Sequence, residues 1–532
     1  MTSTSSLLLT LLPIAVIIFM LVIWNKPADI SGLVGWVVVC IIAFFFFQTS
    51  GEVLLRSSIA GIVKSFPISL IVAASMFQIF FMDKTGALRR VIIFIKTIAS
   101  ENQSVQIMIL AIGFGSLMVS VGATPNSVLP PIMMAMGYST FVSIAIPCIG
   151  YTSLCTYALL GAPIVVFVDI ANAVLGKGHE ITLSQAGSVF FLFIPVITLL
   201  IGFMMLFIMG KWQGVRHGLL PVLVTTAVVT FVSYFTNRIE SLVVLTGIFC
   251  GVGVIIAMMI YLVATGKKVI DKSKLTAEEL DYEKKFPLWK ALTPWGLLIA
   301  FILVLNLPPD VFNYLYRVKT FPILGLSADG KPILTRFLWN AYTWIFVSTF
   351  VSMLFIKPTS AQVKDTFKMW VKRAYRPIIA TSSFFVIGDI MNMSGYDILT
   401  KKYVVPSMVQ VLANFSYQTF SNAYGFVINF IGLLGGFITG SETSTIAMFE
   451  TFAIKTSIML HLSTTGLLIV TAGLAFCGGL ASMISPAKLQ TAAAVVNKMG
   501  EETKVIKAVF IYALLLTSVT AIMAVVFLRV YR

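Results

Sequence analysis

Long apolar runs separated by short polar loops dominate the chain. They lie near residues 7–24, 31–48, 61–82, 105–137, 139–168, 188–210, 219–236, 241–265, 291–306, 337–356, 377–391, 402–414, 425–459, 464–485 and 503–528. A helix needs roughly 20 apolar residues to cross a bilayer, and at that depth every backbone N–H and C=O must find a partner within the protein. Most of these runs read as single crossings. Two do not. The run 425–459 is too long for one crossing and holds a cluster of small polar residues, Phe437-Ile438-Thr439-Gly440-Ser441-Glu442-Thr443-Ser444. The run 105–137 is also too long, and is interrupted at Gly122-Ala123-Thr124-Pro125-Asn126-Ser127. Both patterns predict helices that stop at membrane depth and restart, which is where transporters hold their substrates. Each is followed by a second interruption, Gly161-Ala162-Pro163 in the first half and Ser485-Pro486 in the second.

Composition places the chain in the same class. Of its 532 residues 58% are hydrophobic and 11% charged, with a mean hydropathy of +0.98. A soluble domain would carry about 25% charged residues. The expected fold is an all-α polytopic membrane protein of about 12–14 spans. These fall in two pseudo-repeats, each with a broken helix or hairpin at membrane depth. The run Leu7 to Trp24 has no basic segment before it and no small-residue cleavage site, so it reads as a first span rather than a signal peptide.

The net charge of +16 does not point to nucleic acid, because the cations collect in short loops. These are Lys84, Arg89, Arg90 and Lys96; Lys211 and Arg216; Lys267, Lys268, Lys272 and Lys274; and Lys357, Lys364, Lys368, Lys372, Arg373 and Arg376. That is the positive-inside pattern. If these loops share the cytoplasmic side, with the poorly charged loop near Lys177 outside, then 105–137 must begin and end on one side, as a hairpin or two short half-spans. The hydrophilic stretch 266–290, with a helix-like segment from Thr276 to Lys285, divides the chain. The expected organisation is a first transmembrane repeat at 1–265, a charged cytoplasmic linker at 266–290 and a second repeat at 291–532.

The candidate chemistry sits at the breaks. At the second tip Thr439, Ser441, Thr443 and Ser444 supply hydroxyls beside Gly440, and a helix restarting there exposes N–H groups at its positive end. Together they would make a small anion site; the alternative is an ordinary helix cap. Glu442 is an ionisable group inside a span, which is costly and usually functional. It reads either as the cation-coupling carboxyl or as a static charge answering a dipole. At the first tip Thr124 is placed to cap the restarting helix, Pro125 suits its first position, and Asn126 and Ser127 add donors and acceptors. The alternative there is a proline-capped turn at the interface. Gly122, Pro125, Pro163, Ser485 and Pro486 are the helix-break residues. Asp389 reads as the mark of a span end in preference to a buried role, and Lys455 and Lys488 either as anion partners or as side chains reaching to an interface. The histidines (His179, His217, His461) lie near span ends, and the five cysteines (Cys40, Cys148, Cys155, Cys250, Cys477) fall in apolar segments without metal or redox spacing. No phosphate loop, metal-ligand spacing or Ser/His/Asp set is evident, so neither an enzyme nor a bound cofactor or metal is expected.

These motifs resemble the L-lactate permease family of bacterial and archaeal monocarboxylate symporters. The likeness is strongest at Thr439-Gly440-Ser441-Glu442-Thr443-Ser444, where the family shows T-G-S-[DE]-T-S, and at Met483-Ile484-Ser485-Pro486. Lys84-Thr85-Gly86, Ala291-Leu292-Thr293-Pro294, Leu307-Pro308-Pro309 and Asn392, Ser394 and Gly395 add to it. The chain departs from the family at the first tip. Lactate permeases there look like E-G-A-A-G-F-G-A-P, and Val119 stands where the acid would be. The resemblance implies a multi-pass protein of the cell (inner) membrane that imports a small 2-hydroxy monocarboxylate such as L-lactate with a proton. Its partners would be the organic anion, the coupling cation and membrane lipid, with no nucleic acid. Sodium coupling, and another organic anion such as glycolate, a sulfonated hydroxy acid or a dicarboxylate, stay open.

Overall fold

The computed structural model describes residues 3–24, 26–98, 102–176, 178–273 and 275–531; Lys177 and Lys274 of the loops above lie outside them. The described residues are almost wholly helical. Their only paired strands are two short antiparallel ribbons, Pro322–Ile323 with Ile333–Leu334 and Tyr396–Asp397 with Lys402–Tyr403.

Among the described residues, eleven helical stretches are long and apolar enough to cross a membrane. One of them is really two. Ile194–Thr236 counts 43 residues, but its backbone leaves the helical region at Gly210 and Lys211. The chain doubles back there, with Gly202 against Val222 and Gly218 against Leu206. The runs 188–210 and 219–236 are its two antiparallel arms.

Several expected boundaries are corrected. The run 61–82 is cut at Ser65 into Gly51–Lys64 and Phe66–Lys84. The basic segment 357–376 is mostly not a loop, because Thr359 and Gln362 form a capping box that starts one 34-residue helix, Ser360–Met393, running on through the apolar run 377–391. The run 402–414 gives Met408–Phe420, a helix of 13 residues, too short for a crossing that needs roughly 20.

The basic segments gather on one face. Tyr282 Oη donates to the Gly86 carbonyl at 3.0 Å and Gln362 Nε2 to that of Lys84 at 3.0 Å. The linker helix Ala277–Lys285, capped by Thr276, brings Glu278, Glu279 and Glu283 to Arg89, Lys96 and Arg90. Helix Ser360–Met393 runs from this face to the opposite one, where Asn392 Oδ1 accepts from Lys455 Nζ at 2.9 Å.

Two helical hairpins enter from these opposite faces. The first descends through Gln103–Ile107, Met108–Phe114 (a π-helical turn) and Gly115–Ser120, and returns through Pro125–Ala135. Its open end is on the basic face: Tyr138 Oη donates to Gln106 Oε1 at 2.7 Å, and Ile98, next to Gln106, bridges to Ile270 of the linker. The second pairs Tyr424–Thr439 with Glu442–Met459. Gly435 packs on Thr445 and Phe449, the Tyr424 ring lies 6.2 Å from that of Phe452, and Lys455 marks the open end on the opposite face. Each hairpin leads into an interrupted crossing. The first is Thr140–Ile149 and Ala158–Leu175 around a 3-10 turn at Thr152–Tyr157. The second is Thr464–Leu480 and Pro486–Val495 around a 3-10 turn at Ala481–Ile484. Hairpin and broken crossing thus occur twice, in opposite orientation. The interruption expected at Gly161-Ala162-Pro163 begins earlier, because Leu159, Leu160 and Gly161 all have positive φ (51°, 54° and 74°). Pro163 falls in the first turn after them, where its missing N–H leaves no bond unmade.

Candidate substrate site where four helix breaks meet

At the second hairpin tip Gly440 adopts φ 67°, a left-handed cap that favours glycine. Ser441 then caps the returning helix by accepting from the Ser444 N–H at 3.3 Å. Thr439 Oγ1 folds over the tip, accepting from Ser441 N–H at 3.1 Å and donating to the Ser441 carbonyl at 2.9 Å. The tip is therefore rigid and its hydroxyls are partly used to hold it. Glu442, Thr443 and Ser444 are buried.

Three other breaks close on this tip. A side chain at Gly440 would meet Ser485 Oγ at 2.8 Å, so the second interrupted crossing lies directly against it. From the first interrupted crossing, Thr156 Oγ1 donates to Glu442 Oε1 at 2.7 Å. The first hairpin tip reaches the same place: Asn126 Nδ2 donates to the Lys488 carbonyl at 3.0 Å. Lys488 Nζ itself turns inward, donating to Ser482 Oγ at 2.7 Å and Tyr151 Oη at 3.1 Å. Among the described residues its ammonium is hydrogen-bonded to these two hydroxyls, over the Tyr151 ring at 5.5 Å. Hydrogen bonds thus tie residues 126, 151 and 482 to Lys488, and separately Thr156 to Glu442.

The first tip departs in part from its expected chemistry. Gly122, at φ 88°, lies against the buried Ser75 Oγ. Thr124 stands at the cap position in extended backbone, but its side chain makes no capping bond. Pro125 leaves the first helical position without an N–H, and Thr124 Oγ1 pairs with Ser127 Oγ at 2.5 Å. Asn126 is buried, while Thr124 is exposed and Ser127 partly so. Pro486 opens its helix as expected, though Ser485 gives no side-chain cap.

Of the other candidates, Asp389 is buried rather than a bare span end, and pairs with Lys64. Lys455 lies away from the site, on Asn392. The three histidines are exposed, and among the described residues no three His, Cys, Asp or Glu side chains gather as a metal site. Sequence reasoning passed over Tyr151, Thr156, Ser482 and Ser75, which are neutral hydroxyls inside apolar runs. Lys488 was visible as a cation near a break, but its direction was not.

Re-entrant hairpins meeting from opposite faces, with interrupted crossings between them, define a multi-pass membrane transport protein. The L-lactate permease family model matches residues 6–531, and the chain belongs to that family. It is 21% identical over 466 residues to the L-lactate permease of Streptococcus iniae, covering 86% of this chain and 92% of that protein. It is equally similar, at 21% over 548 residues, to the L-lactate permease of Escherichia coli strain K12, covering 97% of this chain and 95% of that one. The glycolate permease GlcA of Escherichia coli strain K12 is also 21% identical, over 562 residues, covering 97% and 94%.

Proposed function

We propose that this chain is a symporter that imports a small 2-hydroxy monocarboxylate such as L-lactate together with a proton, by alternating access at the four breaks. The observation that carries this reading is Lys488, whose ammonium is hydrogen-bonded, among the described residues, only to Ser482 and Tyr151 where the breaks meet. A cation at membrane depth with no carboxylate on it is costly, and a bound carboxylate would neutralise it. The second tip lies against Ser485 and Asn126 bonds the Lys488 carbonyl; the Ser441 cap and the N–H groups of the restarting helix would suit one compact anion whose hydroxyl bonds to neighbouring polar groups. A second carboxylate would find no second cation there, so a monocarboxylate is favoured over a dicarboxylate.

Glu442 supplies the coupling. With substrate on Lys488, only a protonated Glu442 leaves the site without net charge. Each uncompensated charge carried across the membrane potential costs ~2.3 kcal/mol per 100 mV, so loading anion and proton together removes that cost. We read the halves 1–265 and 291–532 as the two inverted repeats that rock against each other, joined by the linker 266–290 on the cytoplasmic side.

Counterflow of labelled L-lactate in proteoliposomes tests the substrate. L-lactate and glycolate should compete, and succinate and lactamide should not. Lactamide competing as well as L-lactate would overturn the carboxylate reading.

A further inference from the structure

Glu450 lies on the helix Glu442–Met459, two turns beyond Glu442, or about 12 Å at the rise of an α-helix. It is fully buried, and neither carboxyl oxygen has a hydrogen-bond partner among the described residues. Nothing in the site described above uses it. The helices packed against Glu442–Met459 give it no cation. Met408–Phe420, Tyr424–Thr439 and Thr464–Leu480 carry no charged residue at all. Ser360–Met393 brings Asp389, already paired with Lys64. On its own helix Lys455 is bonded to Asn392. The remaining neighbour, Ala158–Leu175, packs along the same helix and carries a second acid, Asp169.

Asp169 is not isolated. Both its oxygens accept from Arg336 Nη1, at 2.9 and 2.8 Å, and its side chain is 32% exposed near the face opposite the basic one. A line of three carboxyl groups therefore runs from that face inward, from Asp169 to Glu450 to Glu442, along the contact between two helices. Thr156, which donates to Glu442, leads directly into the helix bearing Asp169. An ionised carboxylate without a donor or counter-charge is not sustained in a dry interior, so Glu450 gives up its proton only when water or a counter-charge reaches it.

We propose that Glu450 is a second proton-carrying residue of the transport cycle, receiving the proton from the face opposite the basic one by way of Asp169 before it reaches Glu442. The inference rests on the proton coupling proposed above. The proton alone moves, from water to Asp169, to Glu450 and then, across about 12 Å, to Glu442 along water admitted as the site opens; no bond between heavy atoms changes.

The test is proton flux, read with an entrapped pH-sensitive dye, alongside L-lactate uptake in proteoliposomes. Glu450→Gln keeps the shape and removes the proton site. It should lower proton-coupled net uptake about tenfold or more while leaving lactate–lactate counterflow within about twofold, since exchange needs no proton to cross. Glu450→Asp should restore coupling, and Asp169→Asn should slow uptake. Intact counterflow certifies that each variant is folded. Wild-type proton flux in Glu450→Gln would overturn the role of Glu450 while leaving the symport reading standing. Uptake without proton flux in the wild-type protein, or uptake that follows sodium instead, would overturn the symport reading and this inference with it.

Discussion

Lys488 and Glu442 carry opposite burdens at one place. In the proposed cycle the ammonium takes the anion and the carboxyl the proton. Replacing Lys488 with Gln removes the charge-assisted contact to a carboxylate, worth about 1.5–3 kcal/mol, so the KM for L-lactate should rise roughly 10- to 100-fold, read in counterflow. Lys488→Arg should not restore it, because a planar guanidinium cannot take the place of a point-like ammonium between Tyr151 and Ser482. An unchanged KM in Lys488→Gln would remove Lys488 from the site. At this scale the sequence was partly legible. A carboxylate amid small polar residues in an apolar run marked Glu442 and the second tip. Thr156 and Tyr151 gave no signal, since hydroxyls in apolar helices are common and their partners lie hundreds of positions away. Lys488 pointing inward rather than to an interface is decided by Ser482 and Tyr151, which only the fold brings together.

Broken elements impose a different demand, on backbone geometry. Gly122 combines φ 88° with a neighbour, Ser75 Oγ, only 2.0 Å from where a Cβ would stand. Gly122→Ala should lower stability by about 1–3 kcal/mol and blunt transport, measured as a fall in the unfolding temperature of the detergent-solubilised protein and in uptake. A variant of wild-type stability would show that the tip tolerates a side chain. The linker helix makes a pH-dependent prediction. Burial alone would raise Glu279, but the Lys96 ammonium and the Thr276 cap more than offset this and hold it below the usual carboxylate range. A carboxylate lowered on folding stabilises above its unfolded value and loses that contribution as pH falls through the folded one. The linker should thus loosen below about pH 4.5, and Glu279→Gln should loosen it at neutral pH by ~1 kcal/mol. Tryptic cleavage at Lys284 and Lys285 reads this; equal cleavage in the variant and the wild type would contradict it. Periodicity and the parity of basic loops were enough to require a re-entrant run at 105–137. They could not separate a long capped helix from a basic loop at 360–376, because the Thr359 and Gln362 box outweighs the charge that follows.

Across the whole molecule the charge pattern and the geometry agree on which segments share a face. Cysteines introduced at Lys272 and Asp329 should differ in labelling by an impermeant thiol reagent on intact cells, with Asp329 reactive and Lys272 protected. Equal labelling would contradict the orientation. Hydropathy made the crossings legible, and the paired breaks made the two-fold organisation legible. The meeting of the breaks was not, because nothing in the sequence pairs Asn126 with residue 488 or Thr156 with Glu442. Proton symport as proposed turns most directly on Glu442 as the coupling group. The deciding measurement is L-lactate accumulation driven by an imposed pH gradient in proteoliposomes, compared with lactate–lactate exchange, for wild type, Glu442→Gln and Glu442→Asp. The account predicts that Glu442→Gln exchanges substrate but does not accumulate it, while Glu442→Asp does both. Accumulation by Glu442→Gln at the wild-type level would contradict it.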